Sequence, residues 1–412
     1  MTGNVDESTT SRALGSVSRR LFCVTGVGFA TAGCLNLEAG SGDGASAGDN
    51  GDSADDDSVD DDNEASNPPP VDEIDELSLS EMTTLERAPR SVGETDGVFL
   101  TRGFDGVSVR DPDGSQRWLV ELPEEYRLNP GQTLTSDGER LYVGSRNNDG
   151  DDARLYAFDA SDGTERWVEE TDSTGTRTRI QHVTLADGAI VYGSDTSGSD
   201  DDQDSVIRAL EAESGQQRWE HEYTEAFVFE AGSTDERVYA GVGNHVYVYE
   251  LATGDVVDKL DIHLGFTGSV ADDELFVGYD RQVPGELIAL EMADGSERWR
   301  EPFDLEPSGG LAIGSETVFV GTDAGYVVAL DAETGLTRWQ TRLDATISNP
   351  PVPDGNRVWV SDNTDMLSAL AVVDGTVVYD TQLDGWSGVD VAVIDDVLLT
   401  NGTDTLYRIE GS

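Results

Sequence analysis

An all-β chain folded as an eight-bladed β-propeller is the architecture this sequence predicts. Three observations carry the prediction: a motif that returns about every 40 residues, a tryptophan at one fixed place in it, and short alternating apolar runs between Gly/Asp turns. The clearest copy, Ala329 to Trp339, reads Ala-x-Asp-x-x-Thr-Gly-x-x-x-Trp, with Asp331 and Gly335 at its turn. Close copies place Ala157, Asp159, Gly163 and Trp167; Ala209, Glu211, Gly215 and Trp219; and Ala289, Glu291, Gly295 and Trp299. Weaker copies hold Asp111, Gly114 and Trp118 with one residue deleted, Gly254 with Asp258 in the tryptophan place, and Gly375 with Tyr379 there. The seven glycines are 49, 52, 39, 41, 40 and 40 residues apart.

Within a unit, Val318 to Gly321, Tyr326 to Asp331 and Thr337 to Gln340 alternate with period two and are separated by Thr322 to Gly325 and Glu333 to Gly335, a pattern of hairpins. Gly335 is expected at the positive φ that closes the tight turn, with Asp331 accepting backbone N–H bonds at its start. An indole buries a large flat surface, so its return at one offset predicts a wedge between successive units. Four strands in about 40 residues make one propeller blade.

Seven such repeats leave an eighth, composite blade. After Gly375 the chain offers runs at Val389–Val393, Val397–Thr400 and Thr405–Ile409 without a Gly-x-x-x-Trp fourth strand. Residues Leu77 to Met82 are expected to supply it, which closes the ring and leaves no sheet edge bare. The propeller domain is therefore expected over residues 77–412.

The motif resembles the tryptophan-docking repeat of the pyrroloquinoline-quinone (quinoprotein) propellers, a family that includes quinoprotein alcohol dehydrogenases and BamB-like lipoproteins. The resemblance spans residues 77–412 and rests on the four close copies. It implies the fold; the repeat encodes blade packing and is shared by catalytic and non-catalytic members. The family's dehydrogenases hold the quinone with a calcium site of Glu, Asn and Asp, an Asp base and often a disulfide of adjacent cysteines. This chain has two cysteines, Cys23 and Cys34, and no stretch recognisable as that cluster. Catalysis is thus not expected, with a pyrroloquinoline-quinone-dependent dehydrogenase or a sugar- or Ca²⁺-binding surface receptor as the alternative.

Other chemistry has little to stand on, because nucleophilic triads and zinc sites lean on His or Cys. His221 and His245 fall on or beside outer strands, whereas His182 and His263 precede innermost strands near the channel, where a two-His metal site competes with ordinary half-exposed histidine. The two long intervals mark insertions of about ten residues, Asn147 to Asp152 and Ser199 to Asp204, expected as loops on one face. Asp149, Asp151, Asp200 and Asp202 offer hard oxygens for Ca²⁺, but neither segment has the spacing of a known calcium loop, so no metal is assigned.

Charge narrows the partners. With 83 Asp+Glu against 26 Lys+Arg, a formal charge of -57 and one lysine, Lys259, the chain is no nucleic-acid binder and no ligand of anionic headgroups. Acidic residues spread along the whole length match the proteins of halophiles, where multimolar salt screens their repulsion. The amino terminus reads as an export address. Arg19 and Arg20 precede an apolar run from Leu21 to Ala32, too short to span a bilayer as a helix. The Arg pair resembles a twin-arginine (Tat) signal and Ala32, Gly33 and Cys34 resemble a lipobox, although Thr31 departs from the usual Leu. A signal peptide over 1–33, lipidation at Cys34 and an acidic spacer over 34–76 ending in Pro68, Pro69 and Pro70 are expected. The expected product is a monomeric, non-catalytic lipoprotein on the outer face of the cytoplasmic membrane that docks another envelope protein.

Overall fold

The computed structural model describes residues 77–84, 91–95, 98–103, 106–128, 135–147, 152–172, 177–197, 204–224, 228–243, 245–262, 269–271, 275–280, 285–314, 316–347, 349–383, 391–394, 397–401 and 405–410. Arg19, Arg20, Cys34, the spacer, Asp149, Asp151, Asp200, Asp202 and His263 lie outside the described residues.

The described residues form antiparallel four-stranded meanders, numbered here from the first repeat. Blade 1 is Ser91–Thr95, Val98–Arg102, Gly106–Arg110 and Gln116–Glu121. In blade 2 the innermost strand is split into Tyr126–Leu128 and Thr135–Ser136, both paired with Arg140–Asn147, followed by Asp152–Asp159 and Glu165–Asp172. Blade 3 is Arg177–Ala186, Ala189–Ser197, Asp204–Glu211 and Gln217–Thr224; blade 4 is Val228–Ser233, Arg237–Val242, His245–Glu250 and Val256–Leu260. Blade 5 is Ser269–Ala271, Leu275–Asp280, Glu286–Glu291 and Glu297–Pro302; blade 6 is Pro307–Gly314, Thr317–Thr322, Tyr326–Asp331 and Thr337–Arg342. Blade 7 is Val352–Asp354, Arg357–Ser361, Met366–Ala371 and Val377–Gln382. Blade 8 is Val391–Ile394, Val397–Asn401 and Thr405–Glu410, with Ser78–Thr84 paired antiparallel to Thr405–Glu410 as its outer strand.

The core lies between blades rather than within one. Second and third strands are buried on both faces, as Thr317–Thr322 shows along its whole length, whereas fourth strands such as Thr337–Arg342 are largely exposed. Successive hydrophobic clusters join blade 1 to 2, 2 to 3, 3 to 4, 4 to 5, 5 to 6, 6 to 7 and 7 to 8. The inner strand of blade 8 then neighbours Ser91–Thr95 of blade 1, which closes the circle.

Most of both expected loops, residues 148–151 and 199–203, lies outside the described residues; the strands that flank them are long. Arg140–Asn147 and Asp152–Asp159 run eight residues each, and Ala189–Ser197 and Asp204–Glu211 nine and eight, against six for their counterparts in blade 6. Much of the added length extends a paired ladder, which satisfies the extra backbone donors and acceptors in place. Asn147 and Asp152, the ends of the first insertion, sit on facing strands and share an Nδ2–H to Oδ1 bond of 2.6 Å. The longer strands also let blades 2 and 3 meet edge to edge at Arg146 and Arg179, so the two share one nine-stranded sheet.

Candidate functional site: the seams between blades

Each hairpin that ends blades 1 to 7 carries the same irregularity. Ala329 pairs with Trp339 while Leu330 pairs with Thr337, so Arg338 is an extra residue on the outer strand. The equivalent extra residues are Arg117, Arg166, Arg218, Val257, Arg298 and Val378. Such a bulge re-aims neighbouring side chains. Here it sends the arginine back over its own turn and the next residue, the tryptophan, toward the following blade.

The arginine meets the acid that starts the motif. Arg338 Nη2 donates to Asp331 at 2.7 Å, Arg298 Nε to Glu291 at 2.5 Å, Arg218 Nε to Glu211 at 2.8 Å, Arg166 Nε to Asp159 at 3.0 Å and Arg117 Nε to Asp111 at 2.6 Å. Hydrogen bonds from Arg338 and then Thr334 draw the Asp331 carboxyl down to about 2. Ser161 and then Arg166 hold Asp159 well below the usual carboxylate range, and Arg218 and Arg298 lower Glu211 and Glu291. This arginine was not singled out in the sequence, although it precedes the tryptophan in all five copies that have one.

The tryptophan reaches across the seam to two features of the next turn. Trp118 Nε1 donates to Ala160 O at 2.9 Å, Trp167 to Ala212 O at 3.0 Å, Trp219 to Leu251 O at 2.7 Å, Trp299 to Ala332 O at 2.8 Å and Trp339 to Val372 O at 2.7 Å. The same indoles lie against Gly163, Gly215, Gly254, Gly335 and Gly375, where a Cβ would come under 3 Å from a ring atom. These glycines also have φ between 70° and 76°, so a side chain there is opposed twice. Gly114 and Gly295 share the positive φ, at 83° and 75°.

The seam between blades 4 and 5 is built otherwise. Asp258 stands in the tryptophan place and is exposed, as is Val257 in the bulge. Among the described residues, a Cβ on Gly295 would meet only the Tyr239 hydroxyl, at 3.9 Å. Tyr239, fully buried on the second strand, donates to Met292 O at 2.7 Å, the carbonyl that corresponds to the indole acceptors elsewhere. Burial pushes that phenol up to about 12. Beside it a cavity of about 230 Å³ is lined by Thr234, Asp235, Glu236, Arg237, Met292 and Ala293. The last wedge position, Tyr379, stacks edge-on with Trp359 inside blade 7 at 5.9 Å between centroids.

The histidines divide. His221 Nε2 lies 2.7 Å from Gly254 O at the seam of blades 3 and 4, within an aromatic group that includes Trp219 and Tyr249. His245 Nδ1 is 3.5 Å from Asp261. His182 lies within, rather than before, the innermost strand of blade 3. Among the described residues no group of three or more His, Cys, Asp and Glu side chains is placed to hold a metal ion.

A ring of antiparallel meanders joined by docked indoles defines the class as a quinoprotein-type β-propeller. The family model described as outer membrane protein assembly factor BamB matches residues 103–274 and 283–408, and the chain belongs to that family. No curated protein sequence matches significantly. Among solved structures, BamB from Moraxella catarrhalis is 18% identical with a TM-score of 0.58, over 81% of this chain and 97% of that one. The computationally designed Ika8 protein is 14% identical with a TM-score of 0.60, over 81% and 99%. The quinohemoprotein alcohol dehydrogenase of Comamonas testosteroni is 12% identical with a TM-score of 0.59, over 81% and 76%. Likeness at these identities concerns the fold.

Proposed function

We propose that this chain is a non-catalytic lipoprotein of a halophile's cell surface, whose propeller is a rigid scaffold for docking another envelope protein. The observation that carries the reading is the use of the motif side chains. The recurring indoles and glycines join successive blades and the arginines and acids tie each hairpin's own turn, so the repeat side chains are engaged in architecture. Membership of the BamB family supports the scaffold role. Residues 1–33 are the signal peptide, Cys34 carries the lipid, residues 34–76 are the spacer and residues 77–412 the folded body. A single acyl chain binds membranes marginally, whereas a two-chain anchor holds stably. An archaeal-type envelope has no outer membrane, so the partner is taken as an envelope protein of unspecified kind rather than an outer-membrane barrel.

Crosslinking in intact cells followed by mass spectrometry tests the docking role, and failure to recover any reproducible neighbour would sink it. Cys34→Ala should move the protein from the membrane fraction to the medium. Titration with pyrroloquinoline quinone and Ca²⁺ in multimolar KCl addresses the alternative, since saturable uptake with dye reduction would replace the scaffold by a dehydrogenase.

A further inference from the structure

The turn that lines the cavity between blades 4 and 5 has a counterpart in blade 2 that carries a carboxylate. In blade 2, Asp137 opens the turn between the first two strands. Its Oδ1 accepts from the backbone N–H groups of Glu139 and Arg140 at 2.9 and 2.6 Å, which caps the turn. Its Oδ2 accepts from Arg140 Nη1 at 2.9 Å and from the Tyr142 hydroxyl at 2.7 Å. Blade 7 repeats the device: Asp354 Oδ2 accepts from Trp359 Nε1, five residues on, at 3.3 Å.

Blade 4 keeps every partner and omits the acid. Arg237 and Tyr239 stand where Arg140 and Tyr142 stand, and Tyr239 reaches Met292 O as Tyr142 reaches Ala212 O. Thr234 takes the place of Asp137. Its Oγ1 accepts from the N–H groups of Glu236 and Arg237 at 3.2 and 3.0 Å, so it performs the capping of Oδ1 and offers nothing in place of Oδ2. Among the described residues the half-buried Arg237 guanidinium has no ion pair and no hydrogen-bond acceptor, whereas Arg140 is bonded to Asp137. Arg237, Thr234 and Met292 line the cavity of about 230 Å³.

We propose that this cavity is a binding site for a carboxylate group supplied by a ligand or by a partner's chain terminus, which occupies the place of the missing Asp137-type oxygen against Arg237. A guanidinium with open donors favours a planar, two-oxygen anion over a spherical one. Asp235, Glu236 and Asp294 nearby oppose any anion at low ionic strength, and multimolar salt screens that opposition. The site is independent of the scaffold reading and stands or falls separately from it.

The experiment is thermal unfolding of the folded protein in KCl of fixed concentration with added acetate, N-acetylglycine or the uncharged N-acetylglycinamide. Acetate and N-acetylglycine should raise the midpoint saturably and the amide should not. A larger effect of N-acetylglycine than of acetate points to a chain terminus, and equal effects to a free small acid. Thr234→Asp should raise the midpoint without ligand, because it restores the internal pair, and should abolish the response to carboxylates. Arg237→Gln should lose the response without the gain. A response shared by the amide, no response in the wild-type protein, or one that survives Thr234→Asp would overturn the proposal.

Discussion

The seam between blades 6 and 7 and the seam between blades 4 and 5 join the same kinds of strand by different means. In the first, Trp339 donates to Val372 O and lies on Gly375, and Arg338 holds Asp331 over the adjoining turn. In the second, Asp258 and Val257 replace the pair, the glycine keeps its positive φ, and a phenol from the second strand takes over the carbonyl. The blade 2–3 seam shows that the two devices are compatible, because Ala212 O accepts from Trp167 at 3.0 Å and from Tyr142 at 3.1 Å. A seam of this propeller can thus carry an inner bond from the second strand beside the outer wedge from the fourth: the blade 2–3 seam has both, the blade 6–7 seam has Phe319 in the inner place and keeps the wedge, and the blade 4–5 seam has only the inner bond.

The largest expected effect comes from removing the wedge where it exists. Trp339→Ala should destabilise by about 3–5 kcal/mol in urea titrations in multimolar KCl, as a buried aromatic truncation. A loss below about 1 kcal/mol would mean that the indole is not what joins blades 6 and 7. Glycines come next and separate the seams directly. Gly375→Ala combines an unfavourable φ with overlap on the indole and should cost about 2–4 kcal/mol. Gly295→Ala has the φ penalty without the overlap and should cost about 1–2 kcal/mol. Equal losses at the two sites would erase the distinction between them.

A wedge introduced into the unwedged seam should act in the opposite sense. Asp258→Trp is expected to stabilise by about 0.5–2 kcal/mol, the range for filling an underpacked site. The smallest effect is electrostatic. The folded Asp331 carboxyl titrates near 2, below an unfolded Asp at about 3.9, so its pairing with Arg338 stabilises the fold above that range. The contribution fades as pH falls toward 2. Arg338→Ala should flatten this acid limb in the pH dependence of unfolding, and Val257→Ala, in a bulge without the pair, should leave it unchanged.

How much of this was legible before the structure depends on how far apart the interacting residues lie in sequence. The glycine and tryptophan of each copy are separated by a fixed offset, so spacing alone announced the hairpin, the turn and the blade. The composite blade followed from a count of strands left over at one end. The arginine of the bulge is equally visible in the sequence, always one residue before the tryptophan, but an arginine on an acidic surface carries no signal of its own. Asp137 and Thr234 were not legible, since their meaning lies in what faces them across a seam. The split inner strand of blade 2 and its edge contact with blade 3 through Arg146 and Arg179 were hidden for a related reason: insertion length does not say whether extra residues pair or protrude.

The outer strand of blade 8 has a temporal consequence. Ser80 meets Arg408 across 328 positions of chain, so the earliest-made piece of the folded body waits for nearly the last. Closing so long a loop costs only about 5 kcal/mol in entropy, because the penalty grows with the logarithm of length. What it imposes is order: the final meander must leave the ribosome before the circle can shut. Until then two unsatisfied β-edges face solvent, so a product truncated before Thr405 should aggregate although most of its blades are complete.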